Sequence, residues 1–182
     1  AILRADTSGE EFVRVLQDMG PGLCQKAVLY PCTDMSVLQI SRYRQHLDEW
    51  YHVVLPETET VELLMDKVSF YRYAQQQGLP IPATFFLESR KDAEKAAREL
   101  AFPAMVKPGM RTATWEEHSG AKVFRVQRAE ELLALYDQYS AWTDMLIAQE
   151  WIEGSDANLY SCNCYFDADS EPLATFIARK IR

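Results

Sequence analysis

Two short apolar runs, Ala27-Val28-Leu29-Tyr30 and Tyr51-His52-Val53-Val54-Leu55, are each closed by a proline, Pro31 and Pro56. Between them Asp34 stands where it can cap a helix that runs through Val37, Leu38, Ile40 and Leu47 to Trp50. A helical connection of this kind is what a crossover between parallel strands needs and a hairpin does not. The spacing therefore predicts a parallel βαβ unit. No Gly-rich phosphate loop follows the first run, so a dinucleotide-binding fold has no support.

Other elements follow from periodicity and punctuation. Phe12, Val13, Leu16 and Met19 recur at helical spacing from Gly9 onward, with Ser8 as N-cap and Gly20-Pro21-Gly22 as a stop. Val61, Leu64, Met65, Val68, Tyr71 and Ala74 mark a helix from about Glu59 to Gln77, ended by Gly78 and Pro80. Beyond it the pattern predicts a strand at 84–87, a helix from Asp92 to Leu100, strands at 104–107 and 122–126, a helix from Ala129 to Tyr139 and a strand from Met145 to Gln149. From Asp156 to Phe166 polar and apolar residues alternate, placing Tyr160, Cys162, Cys164 and Phe166 on one face, and Pro172 to Ile177 reads as the hairpin partner. The expected class is α/β followed by α+β, with a boundary between Glu57 and Thr60.

Composition narrows the partners. A formal net charge of -8 over 182 residues disfavours nucleic acid, whose phosphates call for a basic surface. No apolar run is long enough to span a membrane, so a soluble, cytoplasmic protein is expected. The cysteines, Cys24, Cys32, Cys162 and Cys164, stand near none of His46, His52 and His118 in metal-ligand spacing. Small buried reduced thiols are expected instead of zinc ligands.

Four places could carry chemistry. Lys107 ends an apolar strand before Pro108-Gly109, and the proline keeps it extended. Alone it favours a solvated lysine, with a phosphate-binding lysine as the alternative. Met110 to Ala121 reads as a loop of small, polar and acidic residues around Trp115, longer than a hairpin needs, either a lid or disordered, and without a Walker A pattern. Gln149-Glu150-Trp151-Ile152-Glu153-Gly154-Ser155-Asp156 leaves a strand and breaks at Gly154; it is either an acidic surface turn or a segment whose backbone reads a base while Asp156 accepts from ribose. Lys67 lies in the apolar helix, and a stem-buried lysine reaching outward accounts for it without a function. No Ser-His-Asp or Cys-His arrangement is suggested.

Taken in order, Leu64-Met65-Asp66-Lys67-Val68-Ser69-Phe70-Tyr71, Gly78-Leu79-Pro80-Ile81-Pro82-Ala83-Thr84, Phe102-Pro103-Ala104-Met105-Val106-Lys107-Pro108 and Gln149 to Asp156 resemble the ATP-grasp superfamily. Within it the chain is similar to carboxylate–amine ligases related to carbamoyl-phosphate synthase and D-aspartate ligase. Lys26 to Pro56 resembles the pre-ATP-grasp segment, and Asn158-Leu159-Tyr160 with Ala178-Arg179-Lys180-Ile181-Arg182 resembles later strands.

The resemblance implies a partial pre-ATP-grasp βαβ lobe over 1–58 and the N-terminal part of an ATP-grasp α+β domain over 59–182, its lid lobe about 84–150 and its core lobe starting at 151. It implies that Lys67 and Lys107 approach ATP phosphates, with Lys122 a weaker candidate, that Gln149, Glu150 and Ile152 line adenine, and that Asp156 holds ribose. Lys180, and less directly Arg179 and Arg182, would face the transferred phosphoryl group, and Gly109 to Gly120 would be a mobile phosphate lid. ATP and Mg2+ are the implied cofactors, and a carboxylate and an amine the substrates of an acyl-phosphate ligase. Two features depart from the pattern: the acidic residue and Glu-x-Asn pair that hold magnesium do not occur before Arg182, and the Gly-rich first strand is absent. The implied metal ligands would lie beyond Arg182, the chain reads as a piece lacking both ends, and weak or no ATP binding is expected of it alone. A nucleotide-binding regulatory module without chemistry, or a structural piece that binds nothing, are the alternatives.

Overall fold

A computed structural model describes residues 6 and 9–181. The predicted crossover is present: β1 (Ala27–Leu29) and β2 (Tyr51–Val53) pair in parallel, with Ala27 opposite Tyr51. The intervening helix is broken, however. It consists of α2 (Asp34–Arg42) and α3 (Arg44–Leu47), separated at Tyr43, whose φ of -102° and ψ of 18° leave the helical region. The break turns Arg44 toward the carbonyls of Leu55, at 3.1 Å, and Pro56. Thr33, not Asp34, is the N-cap: its hydroxyl accepts from the Ser36 amide at 3.2 Å, and the Ser36 hydroxyl accepts from the Thr33 amide, a capping box. An N-terminal helix, α1 (Glu10–Met19), packs Val13 and Leu16 against Ile40, Leu47 and Tyr51. Its end abuts Trp50 so closely that a Cβ on Gly20 would lie 2.3 Å from that ring. The N-cap expected at Ser8 lies outside the described residues.

The predicted helix from Glu59 to Gln77 is likewise two helices, α4 (Thr58–Met65) and α5 (Lys67–Gln76). Asp66 divides them. Its backbone is extended, with ψ 113°, and its carboxylate accepts from the Ser69 amide at 2.9 Å, so a short polar side chain competes with the helix and caps the next one. Lys67 is therefore the exposed first residue of α5 rather than an interior helix residue. Gly78 at φ 63° ends α5 as expected: its amide bonds the Gln75 carbonyl and that of Leu79 bonds Ala74, the paired bonds of a Schellman motif.

Beyond α5 lies a four-stranded antiparallel sheet in the order β3-β6-β4-β5, made of β3 (Thr84–Leu87), β4 (Ala104–Pro108), β5 (Phe124–Val126) and β6 (Leu146–Glu150). One face carries Leu87, Ala104, Val106, Val126, Leu146 and Ala148 into a core shared with α6 (Arg90–Glu99) and α8 (Ala129–Tyr139). Helix α5 covers part of the other. Val68 closes on Gly109, where a Cβ would lie 2.7 Å from its Cγ2; the Arg72 guanidinium stacks over Phe86 at 4.7 Å; and the Gln75 amide donates to the Thr84 carbonyl at 2.6 Å.

The segment from Met110 to Ala121 is not the open loop that its composition predicts. It contains α7 (Ala113–His118), capped by the Thr112 hydroxyl, which accepts from the Trp115 amide at 3.1 Å. Trp115 is fully buried in the sheet's core, its indole N–H donates to the Ala121 carbonyl at 2.9 Å, and its ring meets Phe124 and Tyr139. Outside it, His118 stacks on Trp142 at 4.4 Å.

The last pair, β7 (Tyr160–Phe166) and β8 (Pro172–Arg179), is the expected hairpin, starting later than Asp156, which sits in a 3-10 turn with Ala157 and Asn158. Both strands are exposed throughout. All four cysteines are exposed as well, against the expectation of buried thiols. Cys162 and Cys164 do share a strand face, with sulfurs 3.5 Å apart, and the hydrogen bond and charge of Cys164 push the Cys162 thiol up.

Candidate functional site

Strand alternation puts Ala104 and Val106 in the core, so Met105 and Lys107 of β4 face the other way. In the antiparallel register Lys107 lies opposite Ile147 and Met105 opposite Gln149, which makes Lys107 and Gln149 diagonal neighbours on that second face. The Lys107 ammonium donates to Gln149 Oε1 at 3.1 Å and to the Tyr71 hydroxyl at 3.2 Å, and stands 4.8 Å from the Tyr71 ring centre. Gln149, only 3% exposed, is fixed in turn: its Nε2 donates to Thr84 Oγ1 at 2.8 Å, and that hydroxyl donates to the Pro82 carbonyl at 2.7 Å. Among the described residues the acceptors that hold Lys107 are neutral.

Past the end of β6 the chain is pinned on both sides. The Glu150 amide donates to the Ala83 carbonyl at 2.9 Å while its carboxylate accepts from the Ala83 amide at 3.3 Å, and the Trp151 amide donates to Pro103 at 3.3 Å. Arg125 lies over the Trp151 ring at 4.7 Å and bonds the Glu153 carboxylate at 2.5 Å, tying β5 to the same segment. Ile152, between them, is 64% exposed and makes no hydrogen bond to the described residues.

Asp156 and Lys180 come together elsewhere, at the open end of the hairpin. The Lys180 ammonium bonds the Asp156 carboxylate at 2.6 Å, and its backbone amide donates to the Leu159 carbonyl at 2.9 Å. An open recess of about 310 Å³, walled by Leu159, Tyr160, Ser161, Ala178, Arg179 and Lys180, lies beside this pair and does not include Lys107. The volume alone would point there; the half-buried, carboxylate-free lysine is the stronger sign of an anion site, because an exposed recess desolvates little.

The nominated residues thus fall into two groups, Lys107 with Gln149 and Asp156 with Lys180, with Glu150 and Ile152 on the chain between them. Lys67 is exposed at the start of α5, one residue before the Val68–Gly109 contact, and Lys122 is exposed just before β5. Arg182 lies outside the described residues. Sequence reasoning missed Tyr71 and Thr84. Tyr71 reads as one more apolar helix position, and the signal passed over is that a phenol turned inward needs a partner for its hydroxyl.

No family model matches the chain. It is 26% identical over 169 residues to D-aspartate ligase of Enterococcus faecium, covering 89% of this chain and 40% of that protein. Against D-alanine–D-alanine ligase of Ectopseudomonas mendocina the identity is 32% over 94 residues, 52% of this chain and 28% of that one. An ADP complex of N5-carboxyaminoimidazole ribonucleotide synthetase superposes with a TM-score of 0.65 at 12% identity, over 98% of this chain and 42% of that one; at that identity the likeness shows the fold. The chain spans well under half the length of each of these proteins.

Proposed function

We propose that this chain, a member of the ATP-grasp superfamily, supplies the ATP-binding portion of an ATP-dependent carboxylate–amine ligase. In such a reaction the terminal phosphoryl group of ATP passes to a carboxylate, and an amine then displaces phosphate from the acyl phosphate to form an amide. One observation carries the reading: a lysine at the end of a strand, half-buried and, among the described residues, held by neutral acceptors, stands beside the segment that leaves β6, in a chain homologous to D-aspartate ligase.

In this reading residues 1–58 form the preceding lobe and 59–182 the start of the ATP-grasp domain. Lys107 takes a phosphate oxygen and Lys67, at the near end of α5, a second; Lys122 is a weaker third. Glu150 and Ile152 line adenine through their backbone with Gln149 behind them, and Asp156 accepts from ribose. Lys180, with Arg179 beside it, faces the transferred group. Charge placed on several elements suits phosphoryl transfer, which depends on positioning and electrostatics more than on covalent help.

The Asp156–Lys180 pair must part for both residues to engage a nucleotide. Both side chains are about half exposed or more, and such a pair contributes roughly 0.2–1 kcal/mol, so a bound ligand can replace it. Among the described residues no group of three or more His, Cys, Asp or Glu side chains could hold a metal ion, and no step here is assigned to magnesium. No described helix is long and apolar enough to cross a membrane.

Thermal denaturation with MgATP tests the proposal. ATP at 100 times its dissociation constant adds about 2.7 kcal/mol of stability, and Lys107→Ala is expected to abolish most of the shift. An equal shift in wild type and variant would remove Lys107 from the site, and no shift in the intact protein would count against ATP binding altogether.

A further inference from the structure

We propose that Tyr71 and Gln149 are positioning residues for Lys107, which fix its ammonium so that one N–H remains for a nucleotide phosphate while its charge stays uncompensated. The proposal rests on the reading of Lys107 as a phosphate-binding lysine and adds how that lysine is held. It also gives the Gln149 side chain a task other than contact with adenine.

An ammonium has three N–H donors and no acceptor. Two of those of Lys107 are taken by the Tyr71 hydroxyl and Gln149 Oε1. The direction of the Gln149 amide follows from its neighbours. The Thr84 hydroxyl spends its proton on the Pro82 carbonyl and so can only accept at Oγ1, which places Nε2 of Gln149 against it and leaves Oε1 for the lysine. Tyr71 approaches from α5, itself seated by Val68 on Gly109 and by Gln75 on Thr84, so both anchors sit on packed elements. A free lysine side chain has many rotamers to lose on binding a ligand, and these two bonds already restrict those of Lys107.

The neutrality of the anchors matters as much as their number. Lys26, Arg42, Arg125 and Lys180 each meet a carboxylate within 3.1 Å, as the acidic excess of this chain makes easy. A carboxylate at Lys107 would hold the ammonium equally well and cancel the charge that a phosphate seeks. A phenol and an amide hold it and leave the charge in place, in a half-buried setting where a charge interaction is screened less than in open water.

The test is binding of ATP and of adenosine to the intact protein, wild type and with Tyr71→Phe, Gln149→Glu and Lys107→Ala. Tyr71→Phe keeps the ring and removes the hydroxyl; it is expected to weaken ATP about tenfold, the worth of about one hydrogen bond from a charged donor. Gln149→Glu sets a carboxylate against the ammonium and is expected to weaken ATP by more than about tenfold. Tyr71→Phe, away from the adenine-lining segment, should leave adenosine affinity unchanged, which a merely structural role would lower together with that for ATP. If Lys107→Ala weakens ATP and both anchor variants bind it as wild type does, the positioning role is wrong and the nucleotide reading stands. Wild-type ATP affinity in Lys107→Ala would overturn the reading itself, and an equal loss of ATP and adenosine in Tyr71→Phe would overturn the positioning role.

Discussion

The ammonium of Lys180 lies 2.6 Å from the carboxylate of Asp156, so the residue proposed for the transferred phosphoryl group and the residue proposed for ribose are paired with each other. Separating them should do little to the fold. Asp156→Asn is expected to change stability by no more than about 1 kcal/mol, and to weaken ATP more than it weakens 2′,3′-dideoxy-ATP. Equal losses for the two nucleotides, read by calorimetric titration, would detach Asp156 from the ribose.

Helix α5 should loosen in acid. Burial pushes the Asp66 carboxyl up, but the Ser69 hydroxyl and the Ser69 and Val68 amides outweigh it and hold the group below its ordinary value. A carboxyl lowered in the folded state contributes stability that is present above its unfolded value, near pH 3.9, and is lost as pH falls through the folded one. Asp66→Ala is expected to cost about 1 kcal/mol at neutral pH, as loss of a helix N-cap does. The difference should shrink below about pH 4. Melting curves from pH 7 downward check this, and a gap between wild type and variant that stays constant into acid would disprove the linkage.

At Gly109 the obstacle to a side chain is Val68, whose Cγ2 would lie 2.7 Å from an added Cβ. Gly109→Ala is therefore expected to destabilise by about 1–3 kcal/mol, the usual penalty of overpacking, and to weaken ATP by shifting the start of α5. Adding Val68→Ala opens the space and should recover most of the lost stability. Chemical denaturation of the two single variants and the double variant measures the coupling, and strict additivity would show that the contact is not the cause.

Trp115 should keep the segment between β4 and β5 closed to protease. Trypsin is expected to spare Arg111 and Lys122 in the native protein and to cut there in Trp115→Ala, which removes a fully buried ring at a cost of about 3–5 kcal/mol. Rapid cleavage at both sites in wild type would show that the indole does not anchor the segment.

The sequence carried the order of elements well and their joints poorly. The parallel crossover was legible because two apolar runs and the helix between them leave one economical pairing. The hairpin of β7 and β8 was legible from strict alternation. Both broken helices were read as continuous because apolar spacing persists across Tyr43 and Asp66, and the break comes from one backbone leaving the helical region and one carboxylate preferring a cap. Helix α7, at six residues, is shorter than any periodicity window, and its clue was Thr112 three residues ahead of Trp115. Alternation placed Cys162 and Cys164 on a common face and said nothing of what covers that face. At the candidate site, Lys107 and Gln149 were each nominated alone, and their contact depends on the antiparallel register of β4 with β6, which no local pattern contains.

The buried indole of Trp115 changes how a cover over the phosphates would have to move. A floppy strap could fold down by itself within nanoseconds; this segment is bolted to the sheet. If pulling the ring out costs about 3–5 kcal/mol, then only on the order of one molecule in a hundred to one in several thousand has it loose at any moment. Any cover that this segment gives to the proposed phosphate site is then carried by the four-stranded sheet to which the indole ties it, as a latch is carried by the panel it is built into.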